Sequence, residues 1–124
     1  KRFHQINEFE RTLSENGVTI LKFLLYIGKD EQAKRFRERL DDKTKNWKFS
    51  PADVREREYW DQYMQAYEDV LRKCSTEYAP WYVIPANHKW FRNLAVSEVL
   101  SQKLEQMGLQ YPKPTADLSS IHFE

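Results

Sequence analysis

Nine basic side chains crowd the stretch from Lys34 to Arg57: Lys34, Arg35, Arg37, Arg39, Lys43, Lys45, Lys48, Arg55 and Arg57. Five acids share it (Glu38, Asp41, Asp42, Asp53, Glu56), which leaves a local excess of +4. Cations at that density suit a polyanion, phosphates above all. Each contact releases counterions, and a guanidinium grips two oxygens at once. From Glu58 to Glu77 five acids face Arg72 and Lys73, a balance of −3. A basic elbow therefore precedes an acidic stretch. The competing reading is a solvated face laced with i, i+4 pairs such as Asp53–Arg57 and Arg57–Asp61.

Other chemistry is thinly supplied. The three glycines, Gly17, Gly28 and Gly108, lie far apart, so the chain has no G-x-x-x-x-G-K-[ST] or G-x-G-x-x-G loop to cradle a phosphate. His4, His88 and His122 lack partners at metal-ligand spacing, and no metal ligand is assigned to this chain. Cys74 and His88 would make a nucleophile pair, but Cys74 falls on an apolar stripe, where a structural thiol is the simpler reading. Trp60, Tyr63 and Tyr67 have the chemistry to stack on bases, while their helical register assigns them to a core. Lys89, Arg92 and Asn93 follow a strand and open a helix, the place where open α/β sheets bind ligands. Lys22, alone in an apolar run, reads as a snorkelling or edge residue.

The elements that must position these groups follow from periodicity. Phe3, Ile6, Phe9 and Leu13 recur at helical spacing until Asn16 and Gly17 stop them. Residues 18–27 carry one charge in ten and read as a strand covered on both faces, the habit of parallel sheets. Asp30 is placed to cap a second helix that turns Ala33, Phe36 and Leu40 inward, and 41–50 is a polar loop. Ser50 as N-cap, Pro51 at N1 and Asp53 at N3 announce a third helix running to about Lys73. Its apolar face is Trp60, Tyr63, Met64, Tyr67, Leu71 and Cys74. Trp81 to Ile84 is a short second strand ended by Pro85. A last helix from about Trp90 buries Val96, Val99, Leu100, Leu104 and Met107 and ends at Gly108, Pro112 and Pro114, followed by an irregular tail. Strand, helices, strand is a βαβ crossover. Two strands make a poor sheet, so the pattern reads as one half of an α/β domain.

Composition bounds the rest. At 124 residues the chain is one ordinary domain in size. Its net charge of +1 excludes an overall basic nucleic-acid binder, and a single cysteine excludes an internal disulfide framework. No apolar run approaches the ~18 residues that cross a bilayer. With no initiator Met and no signal-like segment at Lys1, a cytoplasmic location and a cut N-terminal edge are the expectations.

Longer motifs carry a family likeness. The run Ile6-Asn7-Glu8-Phe9-Glu10-Arg11 and the strand ending Lys22-Phe23-Leu24-Leu25 resemble the polyphosphate kinase 2 family. So do RLDDKTKNWKFSPAD at 39–53, Trp60-Asp61-Gln62-Tyr63, Ala66-Tyr67-Glu68, and the block from Ala79-Pro80-Trp81-Tyr82-Val83-Ile84-Pro85-Ala86 to Lys89-Trp90-Phe91-Arg92-Asn93. The likeness reaches about Met107. Tyr26 and Asn87 depart from it, standing where His and Asp are common.

The resemblance implies the C-terminal half of a P-loop-kinase-like three-layer α/β/α domain, helix-rich with about two parallel strands. Residues 1–107 would form that half, with a lid at about 39–58 and an irregular tail at 108–124. The activity implied is phosphoryl transfer between inorganic polyphosphate and a nucleoside mono- or diphosphate (AMP, ADP or GDP). Mg²⁺ would be bound mainly by residues outside this chain, since the family's Walker A loop and Walker B acids have no counterpart here. A homo-oligomer is expected, with neither nucleic acid nor membrane as a partner, and this segment alone is expected to be inactive. By similarity together with the local charge, Arg39, Lys45, Lys48 and Arg57 would cover the phosphates, with Arg39, Lys48 and Arg57 catalytic. Asp53 and Asp61 would hold the lid cations, or touch nucleotide or metal-bound water. Lys89 and Arg92 would meet the polyphosphate. The alternative from another class is a non-catalytic polyanion-binding or assembly module.

Overall fold

A two-stranded parallel sheet joins the two halves of the chain in a computed structural model that describes residues 1–115. Among the described residues five helices surround it: α1 (Arg2–Glu15), α2 (Lys29–Asp41), α3 (Pro51–Glu56), α4 (Trp60–Cys74) and α5 (Lys89–Gln106). The strands are β1 (Lys22–Tyr26) and β2 (Trp81–Pro85). Lys22 stands opposite Trp81 and Tyr26 opposite Pro85. The β1–α2–α3–α4–β2 path is the expected crossover, and the helix-rich α/β class with two parallel strands is the observed one. His122 and most of the 108–124 tail lie outside the described residues.

Local chemistry explains the boundaries. Gly17 adopts φ +83°, and the Val18 amide donates to Leu13 O at 3.0 Å, so α1 closes in a glycine C-cap. Ser50 Oγ accepts from the Ala52 amide at 3.3 Å, with Pro51 in the first turn of α3. Asp30 does not cap α2. Gly28 occupies the cap, and Asp30 with Glu31 lies in the first turn, where carboxylates favour the helix dipole. Residues 18–21 precede the strand rather than belonging to it.

The long third helix is two helices. A tight 3-10 turn at Arg57–Tyr59 separates α3 from α4. Nothing between Ala52 and Lys73 announces it, since the stretch holds neither glycine nor proline. A second 3-10 turn, Asn46–Lys48, interrupts the polar loop. With its amide nitrogen turned toward α2, Asn46 donates to Arg39 O and Asp42 O, both at 2.6 Å, and so satisfies carbonyls the helix end leaves open.

Among the described residues the fully buried core is small: Cys74, Ala79, Ile84 and Ala86. No β1 side chain is buried, and Leu25 is 46% exposed, so the strand is not covered on both faces. In α5, Leu100 and Leu104 are exposed, as are Met107 just beyond it and Leu40 in α2. A two-stranded sheet offers these helices too little surface to bury a whole stripe. Cys74 is nearly inaccessible, and its thiol reaches Phe3 O at 3.9 Å rather than His88, which disposes of the nucleophile pair. Lys22 stands on a strand with one open edge, but it does not snorkel to water. Its Nζ donates to Glu10 Oε2 and to Cys74 O, both at 2.6 Å, and lies 5.3 Å from the Trp81 ring.

Candidate functional site

A cleft of about 300 Å³ opens where β1, α2, α3 and α4 meet. Leu24 to Tyr26, the C-terminal half of β1, form its floor with Ile27 just beyond the strand. Gln32 and Phe36, one turn apart on α2, form one wall. Trp60, Tyr63, Met64 and Tyr67 form the other, along one face of α4. The stripe expected to be core is thus cleft wall, with Tyr63 and Tyr67 each more than two-fifths exposed. Asp53, Glu56 and Arg57 descend into the cleft from α3 and the turn after it. A mostly apolar, aromatic cleft with a few converging polar groups is the usual form of a small-ligand site.

Among the described residues Arg57 is the one cation lining that cleft. Its Nη1 donates to Gln32 Oε1 at 2.7 Å and to Lys29 O at 3.0 Å. The i, i+4 pairs Asp53–Arg57 and Arg57–Asp61 do not form, because the side chain crosses to α2 instead. Tyr63 Oη donates to Glu56 Oε2 at 2.7 Å. That bond, with the charge of Glu56, pushes the Tyr63 phenol up from its ordinary value.

Arg39, Lys45 and Lys48 stand on the same segment without entering the cleft. The Arg39 guanidinium lies 5.6 Å from the Phe36 ring, and Lys48 Nζ lies 4.9 Å from the Trp47 ring. Lys45 Nζ pairs with Asp42 Oδ2 at 2.6 Å. Lys45, together with Thr44, holds the Asp42 carboxyl at about 2, and the same bond raises the Lys45 ammonium. Asp53 lines the cleft, whereas Asp61, in the first turn of α4, is exposed and makes no ion pair among the described residues.

Lys89 and Arg92 open α5 at the C-terminal edge of the sheet, beside the start of α2. Asn87 Oδ1 accepts from the Gly28 amide at 2.9 Å. Arg35 donates to Ala86 O at 2.7 Å and to Asn87 O at 3.1 Å while pairing with Glu31 at 2.8 Å. This clasp binds the β1–α2 junction to the β2–α5 junction. The Arg35 bond draws the Glu31 carboxyl below its usual range. Arg92 turns to the Asn93 side chain at 2.8 Å.

Sequence reasoning missed Gln32, Glu56 and Arg35. Gln32 carried one usable signal, standing four residues before the inward Phe36 on a polar helix. No group of three or more His, Cys, Asp or Glu that could hold a metal ion occurs among the described residues. Asp53 and Glu56 are two carboxylates, too few to cage a cation by themselves. No helix of the described residues is long and apolar enough to cross a membrane.

The sequence model of the Polyphosphate kinase 2 family matches residues 1–112. A protein of Leptolyngbya boryana, described only as uncharacterized, is 55% identical over 112 residues, 90% of this chain and 82% of its own. The AMP/ADP-polyphosphate phosphotransferase of Meiothermus ruber is 52% identical over 124 residues, all of this chain and 46% of that protein. The crystal structure of Polyphosphate Kinase 2 from Arthrobacter aurescens superposes with a TM-score of 0.92 at 49% identity, over 96% of this chain and 43% of that one. The chain thus spans less than half the length of the relatives whose activity is named.

Proposed function

This chain belongs to the polyphosphate kinase 2 family, and we propose from that premise that the complete protein is a polyphosphate:nucleotide phosphotransferase. It moves a phosphoryl group between inorganic polyphosphate and a nucleoside mono- or diphosphate. AMP and ADP are the proposed acceptors, in line with the name of the Meiothermus relative. Residues 1–107 are read as the C-terminal half of the catalytic domain, with 39–58 as its lid. The observation that carries the reading is Arg57: a partly exposed, unpaired guanidinium among the described residues, in an aromatic cleft at the end of a parallel strand.

Phosphoryl transfer asks little covalent chemistry of a protein and much positioning and charge neutralisation. Arg57 meets charge developing on the transferred group. Arg39, Lys45 and Lys48, strung along the lid, draw the polyanion in and shield it. The aromatic walls exclude water and give the nucleotide a surface to lie against. Lys89 and Arg92, at the sheet edge, meet the polyphosphate farther along. Mg²⁺ would supply charge neutralisation from ligands outside this chain, whose own carboxylates do not assemble a site for it among the described residues.

The test is direct. The complete protein is incubated with polyphosphate and AMP, ADP or GDP, and nucleotide products are separated. Formation of the next higher phosphate supports the reading. Failure with all three acceptors, at any divalent cation supplied, sinks it.

A further inference from the structure

The hold on Arg57 is one-sided. Of the five guanidinium N–H groups, only those on Nη1 meet protein acceptors among the described residues. Both acceptors, Gln32 Oε1 and Lys29 O, are uncharged. Two carboxylates stand close in the chain, Asp53 four residues back and Glu56 adjacent, and line the same cleft, yet neither pairs with it. Glu56 is occupied by the Tyr63 hydroxyl. The Nε and Nη2 hydrogens lie on one edge of the guanidinium plane. That edge is the fork that matches two oxygens of one phosphoryl group.

We propose that Gln32, with the Lys29 carbonyl, is a positioning residue that holds Arg57 by Nη1 alone and so reserves its Nε/Nη2 edge, at full charge, for an oxyanion in the cleft. A carboxylate at residue 32 would orient the same guanidinium but neutralise it. A glutamine orients it and leaves the charge for the ligand. The anchor is itself fixed. The Gln32 backbone N–H donates to Gly28 O at 3.0 Å, in the first turn of α2, and the Gly28 backbone N–H donates to Asn87 Oδ1 at 2.9 Å. A continuous chain of contacts therefore ties the lid's arginine to the turn between β2 and α5. This inference deepens the phosphotransferase reading and rests on it for the identity of the oxyanion.

The experiment uses the complete protein, wild type and the variants Gln32→Glu, Gln32→Ala and Arg57→Ala. Three readouts are taken: tripolyphosphate binding by calorimetry, phosphoryl transfer split into kcat and KM, and the side-chain Nε–H resonance of Arg57. Gln32→Glu keeps an acceptor of the same length, so the thermal midpoint stays while tripolyphosphate affinity falls roughly tenfold or more, the worth of one charge-assisted contact. Gln32→Ala frees the guanidinium. Its Nε–H signal broadens and kcat falls by up to about a hundredfold, with KM for polyphosphate moving far less.

Gln32→Glu binding tripolyphosphate as tightly as wild type overturns the proposal, whether or not transfer is seen. Weakened binding in Gln32→Glu together with no transfer by wild type upholds the positioning role and removes the phosphotransferase reading alone. Wild type that ignores tripolyphosphate removes both. Should Gln32→Ala not fold, the length-preserving Gln32→Glu decides the matter.

Discussion

Lys22 Nζ lies 2.6 Å from Glu10 Oε2, an ion pair whose side chains are only 12% and 13% exposed. It joins the first strand to the first helix, and the Cys74 carbonyl adds the end of α4 to the same ammonium. A charge so withdrawn from water is tolerated only while its partner remains. Lys22→Ala is therefore expected to destabilise the complete protein by about 3 kcal/mol, since it strands Glu10. The double change Lys22→Met with Glu10→Leu is expected to recover most of that loss. Denaturant unfolding of the three proteins measures it, and a single-mutant cost below about 1 kcal/mol, the exposed-pair range, would show that the pair is effectively solvated.

Asp42 gives a pH prediction. Its folded carboxyl titrates at about 2 against an ordinary 3.8, chiefly through the Lys45 hydrogen bond and then through Thr44. A depressed acid contributes stability that is complete above about pH 4 and is lost as pH falls through its folded value. The difference in thermal midpoint between wild type and Asp42→Asn is expected to hold from neutrality to about pH 4 and to close toward pH 2. Carbon NMR of the Asp42 carboxyl is expected to move back toward 3.8 in Lys45→Ala. A midpoint unchanged by that substitution would contradict the assignment of cause.

Tyr63 supplies the opposite sign. Its phenol is raised because the neutral O–H donates to the Glu56 carboxylate. The stabilisation is complete below the ordinary value of 10 and is lost as pH rises through the folded one. Ultraviolet titration of the phenolate is expected to give a midpoint above 10 for Tyr63, returning toward 10 in Glu56→Gln, which keeps an acceptor but removes the charge. Identical titrations in the two proteins would break the link.

Ser50 holds the start of α3, the short helix that carries Asp53 and leads to Arg57. Ser50→Ala is expected to cost about 1 kcal/mol and to speed hydrogen exchange first at Ala52 and its neighbours. Ser50→Gly is expected to lose only a few tenths of that unit, because glycine still suits the cap backbone. Uniform exchange across the chain would mean that the cap does not govern this segment.

Arg57 and Lys48 differ in kind. Arg57→Ala removes the cleft's cation, and turnover is expected to fall by about 10³ or more, as for an arginine that meets transferred phosphate. Lys48 sits exposed on the Trp47 face outside the cleft. Lys48→Ala is expected to weaken polyphosphate binding several-fold, with a shallower salt dependence and kcat nearly kept. Equal effects on kcat would erase the distinction between a cation at the reacting group and one along the lid.

Helix, strand and crossover were legible because each is written in local periodicity. Gly17 and Ser50 marked helix ends that the backbone uses as expected, since a left-handed turn and an N-cap depend on one or two neighbours in the chain. The break at Arg57–Tyr59 left no such mark. Its helical pattern continues without glycine or proline, and the 3-10 turn shows only in the folded backbone. Cys74 was readable as a structural thiol from its stripe, whereas Trp60, Tyr63 and Tyr67 share that stripe and line a cleft. Periodicity names a face and says nothing of what stands opposite it.

The sequence by itself determined the family, the α/β class and the cluster of cations, because these rest on residue order and on charge that no fold can remove. Only the tertiary structure decided which cation enters the cleft and what holds it. Arg57 meets Gln32 across 25 residues of chain, and its choice of a neutral amide over the acids Asp53 and Asp61 depends on where α2 is carried by the sheet. That choice is a matter of distance in space, which spacing along the chain does not encode.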